Sequence, residues 1–208
     1  MRVLPSGSTG LLVEVDDLDQ VIALYTALSS DPLPGVVDLV PAGRTILVVT
    51  DPLRTTLAAV EDAVRTTTPR ADAGATGELI EISAVYDGDD LEDAAVLLGL
   101  TVADLVTQHT GAEWTVAFSG FAPGFGYLVS PDWGYDVPRL TSPRTRVPPG
   151  AVALAGQFSG VYPRESPGGW QLIGRTDVAV FDLAREPPAL LRPGTRVRFV
   201  DSSAGERA

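Results

Sequence analysis

The stretch PRLTSPRTRVPPGAVALAGQFSGVYPRESPGGWQLIGRT (Pro138–Thr176) alternates short apolar runs with glycine and proline turns. The runs have the length of strands, and Gly and Pro mark the turns between them. The same pattern extends on both sides of this stretch, which predicts a mainly-β barrel. The predicted strands are Trp114–Phe118, Gly126–Val129, Ala151–Ala155, Gly160–Tyr162, Trp170–Ile173, Val178–Phe181 and Arg196–Phe199.

The first 86 residues mix helical and strand patterns instead. Their order, β-α-β-β-α-β, predicts a small α+β domain over residues 1–86. Residues 87–208 are then expected to form a helical connector followed by the barrel. The predicted N-terminal elements are a strand at Gly10–Val15, a helix at Leu18–Ser29, a hairpin of Val36–Val40 and Thr45–Thr50, a helix from Pro52 to about Thr66, and a strand at Gly77–Tyr86.

The residue types exclude several kinds of chemistry. The chain has no Cys, so it has no disulfide and no thiol nucleophile. All 15 basic residues are Arg, which excludes a Schiff-base lysine and the phosphate-binding lysine of a P-loop. A single histidine, His109, excludes a His-rich zinc site.

Charge and hydropathy restrict partners and location. The net charge of −12 disfavours nucleic acids and anionic membranes as partners. No apolar stretch reaches about 18 residues, and the N-terminus lacks an apolar signal core, so we expect a cytoplasmic protein. Residues 1–138 carry a net charge of −16 and residues 139–208 a net charge of +4. The basic part either attracts an anionic ligand or pairs with the acidic part, and both alternatives stay open.

Two segments have the composition of ligand-binding loops. In FSGFAPGFGYL (Phe118–Leu128), glycines allow close backbone approach and Tyr127 offers a hydroxyl. The alternative is a wide turn, and we expect the rings of Phe121 and Phe125 to lie in the core. The second segment is Pro138–Val152, which we call the Pro-Arg segment. Its prolines fix the backbone around Arg139, Arg144 and Arg146, which suits carboxylate or phosphate binding or, equally, pairing with surface acids.

Further candidates lie outside these loops. His109 is a candidate acid/base, or else a histidine that interacts with the C-terminus of its own helix. Glu165 is a candidate base before the turn Ser166–Trp170, whose backbone amides could cradle a phosphate, with Arg175 and Thr176 at the far end of the next strand. The acids of Asp87–Asp90 are explained by helix capping and the helix dipole rather than by calcium, since the spacing of an EF-hand is missing.

These motifs resemble those of the family of the 5-oxoprolinase B subunit, KipI and allophanate hydrolase subunit 1, which carries subdomains C and D of a carboxyltransferase domain. The family pattern combines a helix that ends in His-Thr with GFxPGFPYL, PRxxTPRxxVPxGSV and AGxQTGIYPxxSPGGWxLIGRT. The matching positions are His109-Thr110, Gly120–Leu128, Pro138–Val152 and Ala155–Thr176. This chain departs from the pattern at Gly126, Ser142, Ala151, Phe158 and Ser159.

The resemblance implies a cyclophilin-like barrel and a partner, the C subunit, with a related barrel. It implies that the two proteins use ATP, with Mg²⁺, to phosphorylate the lactam of 5-oxoproline, an amide substrate, and that hydrolysis to glutamate is completed by an A subunit. The alternatives are a KipI-like inhibitor of a histidine kinase and a subunit of an allophanate hydrolase. Within this reading, we expect His109, Glu165 and Arg175 to be the catalytic residues. No metal ligand is assigned, and the expected substrate- or phosphate-binding residues are Gly124, Tyr127, Arg144, Arg146, Ser166, Gly168, Gly169, Trp170 and Thr176.

Overall fold

A computed structural model describes residues 1–70 and 79–202. The contacts divide the chain into two compact units, Met1–Gly74 and Ala75–Ala208. This boundary differs from the predicted one at residue 86, because the strand predicted at Gly77–Tyr86 joins the second unit. Its described part is β5 (Leu79–Ala84), and Gly77 and Glu78 lie outside the described residues.

The first unit is a four-stranded antiparallel sheet with two helices, in the strand order β1-β2-β4-β3. The α+β prediction is confirmed, but the edge strand β1 is an addition to it. The helix expected from Pro52 starts five residues later, at Leu57, where the Thr56 hydroxyl accepts from the Ala59 amide. The elements are β1 (Arg2–Ser6), β2 (Gly10–Glu14), α1 (Leu18–Ser30), β3 (Val36–Pro41), β4 (Thr45–Thr50) and α2 (Leu57–Thr66).

The second unit is built on a seven-stranded sheet in the order β12-β9-β10-β7-β6-β13-β5, with a two-stranded sheet of β8 and β11. The prediction of a mainly-β barrel is confirmed. The elements after β5 are α3 (Leu91–Leu98), α4 (Val102–Gly111), β6 (Trp114–Ser119), β7 (Gly126–Val129), β8 (Arg144–Val147), β9 (Ala151–Ala155), β10 (Phe158–Val161), β11 (Ser166–Gly168), β12 (Gln171–Arg175) and β13 (Arg196–Asp201).

The two ends of the large sheet meet at a seam. Strand β5 pairs in parallel with β13, and the residue after it, Val85, forms an antiparallel bridge with Arg175 at the end of β12. The Val85 amide donates to the Arg175 carbonyl at 2.8 Å, and the Arg175 amide donates back at 2.9 Å. The barrel is therefore nearly closed, which leaves few unpaired backbone groups at its ends.

Two glycines make the seam possible. A Cβ on Gly174 would lie 2.4 Å from the carbonyl oxygen of Val85, and a Cβ on Gly88 would lie 2.2 Å from that of Leu172. Both distances are far below van der Waals contact with backbone that cannot move aside. Glycine is required at both positions because two chain segments approach each other closely there, and not because either glycine lies in a turn.

Strand β9 separates two clusters of buried side chains. Val152 and Leu154 point into the main core of the barrel. The alternating alanines of β9 face the other way, and their small side chains leave room for large rings. These rings and their neighbours form a second cluster of Phe125, Val147, Tyr162, Trp170 and Leu172.

Replacing Gly174 with alanine is expected to destabilise the second unit by about 1–3 kcal/mol or more, because the new methyl group meets backbone. Urea unfolding of Gly174→Ala would measure the loss. Gly134→Ala is the matched control, since a Cβ there meets nothing within 4 Å. Equal stabilities of the two variants would contradict the close packing at the seam.

Candidate functional site

The predicted ligand-binding segments converge at the second cluster of rings. The Leu140 amide donates to the Gly169 carbonyl at 2.8 Å, and Gln171 Nε2 donates to the Pro138 carbonyl at 2.9 Å. The Pro-Arg segment is therefore fixed on the Pro-Gly-Gly turn. We use the name aromatic face for seven rings that contact one another here, Phe118, Phe121, Phe125, Tyr127, Phe158, Tyr162 and Trp170.

Phe121 is the exposed ring of the aromatic face. Its side chain is 56% exposed, whereas Phe125 is buried, so the expectation of a core position is wrong for Phe121 and confirmed for Phe125. The Ala122 amide donates to the Gly120 carbonyl at 2.6 Å, and Phe121 between them has φ +64°. This is a γ-turn of the rare, strained hand, occupied by a bulky residue that is not glycine.

Gly124 fixes the other end of the same loop. It has φ +83°, and a Cβ on it would lie 2.4 Å from the Cβ of Phe181. A side chain is therefore excluded both by conformation and by space. Gly124 acts by holding the loop in place, and it is buried rather than facing a ligand.

The Pro-Gly-Gly turn has a packing role as well. A Cβ on Gly168 would lie 2.3 Å from the Tyr162 hydroxyl, so glycine is required for the ring to fit. Burial raises the pKa of Tyr162, while a backbone hydrogen bond from Trp170 and the charge of Arg139 lower it. The turn thus covers the Tyr162 hydroxyl, and the carbonyl of Gly169 accepts a hydrogen bond from the Leu140 amide.

Three of the four arginines predicted to hold an anion have carboxylate partners. Arg144 pairs with Asp90 at 2.6 Å, and the other two pairs join Arg146 to Glu165 at 2.5 Å and Arg175 to Asp87 at 3.0 Å. Each positive charge is therefore already balanced in this structure. Glu165, predicted as a base, is half exposed and is the acceptor of one of these pairs.

Asp90 differs from the other two acids because it is buried. One carboxylate oxygen accepts from Arg144 Nη2 at 2.6 Å, and the other accepts from the Leu172 amide at 2.7 Å. Asp90 precedes α3 but makes no side-chain cap hydrogen bond, so the expected capping role is wrong for this residue. The hydrogen bond to Asp90 raises the pKa of Arg144.

His109 lies in the main core and has no exposed surface. Its Nδ1 is 2.7 Å from the Tyr86 hydroxyl and its Nε2 is 2.8 Å from the Ser159 hydroxyl. The rings of Trp114 and Phe199 pack against it, and burial lowers its pKa to about 3. An imidazole that is neutral, bonded at both nitrogens and out of reach of solvent is a core histidine, and we leave it out of the proposed site.

Phe158 and Ser159, two of the residues that differ from the family pattern, lie in different environments. Ser159 is buried and supplies the hydroxyl that meets His109. A threonine there would present the same hydroxyl, so this exchange keeps the hydrogen bond. Phe158 is half-buried and meets Phe118 and Tyr127 edge-on, which adds a ring to the aromatic face.

Of the remaining predicted residues, only some lie at the aromatic face. Tyr127 and Trp170 belong to the aromatic face, with centroids 5.5 Å apart. Thr176 lies beyond the seam, where its buried hydroxyl accepts from the Val178 amide at 3.1 Å. The buried Ser166 hydroxyl donates to the Arg164 carbonyl at 3.4 Å. The structure therefore brings together Gly124, Tyr127, Gly168, Gly169 and Trp170, and it separates His109, Arg175 and Thr176 from them.

Arg139, predicted together with Arg144 and Arg146 to bind an anion or to pair with surface acids, differs from both of them in the structure. It is exposed, and it makes no ion pair within residues 1–70 and 79–202. Its charge lowers the pKa values of both Tyr127 and Tyr162, against the larger effect of burial. Only the structure distinguishes it from Arg144, because the acid that pairs with Arg144 lies 54 residues away in the sequence.

Within residues 1–70 and 79–202, no group of three or more His, Asp or Glu side chains comes together as a metal site, and we assign no magnesium ligand. No helix in those ranges is both long and apolar enough to cross a membrane.

Comparison with known proteins gives consistent matches. The family model of the carboxyltransferase domain, subdomains C and D, matches residues 1–191. The chain is 41% identical over 177 residues to the B subunit of 5-oxoprolinase from Escherichia coli O157:H7, covering 83% of this chain and 81% of the relative. It is 33% identical over 204 residues to the B subunit of 5-oxoprolinase from Bacillus subtilis strain 168, covering 90% and 83%.

A solved structure extends the comparison to three dimensions. The crystal structure of TTHA0988 has a TM-score of 0.75 and 36% identity over 93% of this chain. The match covers 40% of that protein, so this chain spans less than half of its length.

The buried His109 predicts how stability depends on pH. Its pKa is lowered to about 3 in the folded chain from 6.5, so the unfolded chain binds more protons between these values. Stability should therefore fall as the pH drops below 6.5, by about 2 kcal/mol between pH 7 and pH 5. Urea unfolding of the unaltered chain and of His109→Gln would separate this effect from that of carboxylates. Identical pH dependence in the two proteins would contradict a buried neutral imidazole.

Proposed function

The chain belongs to the family of carboxyltransferase-domain proteins with subdomains C and D, and from this premise we propose that it is one subunit of an ATP-dependent 5-oxoprolinase. In this proposal the complex activates the lactam of 5-oxoproline by phosphorylation and hydrolyses it to glutamate. The chain works with a homologue of the C subunit, and a homologue of the A subunit completes the hydrolysis.

One observation carries the proposal. The similarity to a protein named as the B subunit of 5-oxoprolinase extends over more than four-fifths of both chains. It therefore spans both compact units and is not limited to a shared fold of the barrel. A likeness of fold alone would not support a particular activity, because one fold serves many functions.

The longer solved relative supports a partner. That protein continues well beyond the region that this chain matches. We propose that a separate homologue of the C subunit supplies a counterpart of the additional region. On this view the chain forms part of a shared active site and has no turnover by itself.

The charges of the site support separate roles for this chain and its partner in binding the lactam and ATP. Lactam phosphorylation needs groups that hold the charges of the transferred phosphoryl group and of the lactam oxygen. Arg144, Arg146 and Arg175 are each balanced by a carboxylate, so they do not fit the role of holders for a triphosphate. We therefore propose that ATP and Mg²⁺ bind chiefly to the partner and that this chain presents the lactam.

Reconstitution tests this function. The chain is combined with homologues of the C and A subunits from the same organism, and 5-oxoproline-dependent ATP hydrolysis and glutamate formation are measured. Glutamate is expected only when all three proteins and ATP are present. Pyrrolidin-2-one, the lactam without the carboxylate, is the matched control substrate and should stimulate little ATP hydrolysis. Full activity without this chain, or a stable complex that leaves 5-oxoproline unchanged, would contradict the proposal.

A further inference from the structure

We propose that Arg139 and Phe121 form a binding site for a small organic monocarboxylate, in which Arg139 holds the carboxylate and the Phe121 ring packs against the apolar ring of the ligand. The identification of that ligand with the carboxylate of 5-oxoproline rests on the proposed function, whereas the site itself does not.

Arg139 has a fixed backbone and a side-chain charge that no carboxylate balances among the described residues. The residue before it, Pro138, accepts from Gln171 Nε2 at 2.9 Å, and the residue after it, Leu140, donates to Gly169 at 2.8 Å. The backbone of Arg139 is thus held on both sides. Its guanidinium is exposed and has no carboxylate partner in the described ranges, so it is available to an incoming anion.

Two tyrosines, Tyr127 and Tyr162, contact the turn Gly168–Trp170, to which the residue after Arg139 is hydrogen-bonded. The charge of Arg139 acts on the hydroxyls of both Tyr127 and Tyr162. No hydrogen bond of the Tyr127 hydroxyl occurs among the described residues, and this ring is half-buried. A carboxylate on Arg139 could therefore accept a second hydrogen bond from Tyr127, and two donors would orient it.

Phe121 has a strained backbone and lies on the same side of the aromatic face as the Arg139 backbone. Its ring lies 5.9 Å from that of Tyr162, centroid to centroid. The Tyr162 hydroxyl packs against Gly168, and the next residue, Gly169, accepts from the amide of Leu140, which follows Arg139. The γ-turn holds this half-exposed ring on a rigid loop, although glycine would relieve the strain. Backbone strain of this kind persists at sites where a ligand is held. An exposed flat apolar wall beside a guanidinium fits a compact ring that carries one carboxylate.

The charge balance argues for a monoanion. Among the three arginines of Pro138–Val152, Arg144 and Arg146 are neutralised by Asp90 and Glu165, which leaves one unbalanced positive charge at Arg139. The chain as a whole is strongly acidic, with a net charge of −12. A multiply charged phosphate would meet too few positive charges here, whereas one carboxylate matches one guanidinium.

The test measures binding of four probes to the full chain by calorimetric titration. The probes are 5-oxoproline, cyclopentanecarboxylate, pyrrolidin-2-one and inorganic phosphate. The first two share a carboxylate on a five-membered ring, and they are expected to bind. Pyrrolidin-2-one lacks the carboxylate, phosphate lacks the apolar ring, and neither should bind measurably.

Variants at Arg139 and Phe121 locate the site, and a variant at Arg192 is the control. Arg139→Gln is expected to weaken binding of the two carboxylates roughly 10- to 100-fold, which corresponds to loss of a charged hydrogen bond. Phe121→Gly should also weaken binding of the two carboxylates. The melting temperature of Phe121→Gly should be at or above that of Phe121→Ala, because glycine adopts a positive φ without strain. Arg192→Gln is the matched control, since Arg192 is also exposed and without an ion pair in the described part of the chain, and it should bind as the unaltered protein does.

The outcomes separate the site from the proposed function. The site is wrong if no carboxylate binds, if Arg139→Gln binds normally, or if phosphate binds and depends on Arg139. Binding of cyclopentanecarboxylate through Arg139, together with no binding of 5-oxoproline, supports the site and contradicts the proposed function. Normal turnover by the reconstituted complex, with an unchanged KM for 5-oxoproline in Arg139→Gln, supports the proposed function and overturns the identification of the site's ligand with 5-oxoproline.

Discussion

The buried carboxylate of Asp90 connects three parts of the second unit. It accepts from the Leu172 amide on β12 and from Arg144 on β8, and its own backbone starts α3. A buried carboxylate is unfavourable unless it is paired and hydrogen-bonded, so these contacts must form together. Asp90 therefore connects β12 at the seam to the small sheet that carries Arg144.

This constraint also determines which arginine can serve a ligand. Arg144 forms an ion pair with Asp90, and Arg146 forms one with Glu165. These two arginines of the predicted anion-binding segment therefore have a structural role. Arg139 is the exception, since its neighbours are fixed by backbone hydrogen bonds and its guanidinium stays unbalanced in the described structure. The site is therefore a single positive charge beside an aromatic face, which suits the presentation of one carboxylate to a partner.

Much of the fold follows from the sequence because hydrophobic period and Gly/Pro turns are local signals. They predict α1, the β3–β4 hairpin and most barrel strands. They do not predict that β5 leaves the first unit, because its partner β13 is more than 100 residues away along the chain. For the site, residue types indicated the aromatic loop and the arginines. Burial of His109 and the pairing of Arg144 depend on tertiary contacts, which no local pattern contains.

A double-mutant cycle between Asp90 and Arg144, with urea unfolding of Asp90→Asn, Arg144→Gln and the double variant, measures how strongly the two side chains are coupled. The exposed pair Asp87 and Arg175 serves as the reference cycle. We expect a coupling free energy of about 2–3 kcal/mol for the buried pair and at most about 1 kcal/mol for the exposed one. Equal coupling in the two cycles would contradict this expectation, because Arg144 would then be as available to a ligand as any surface arginine.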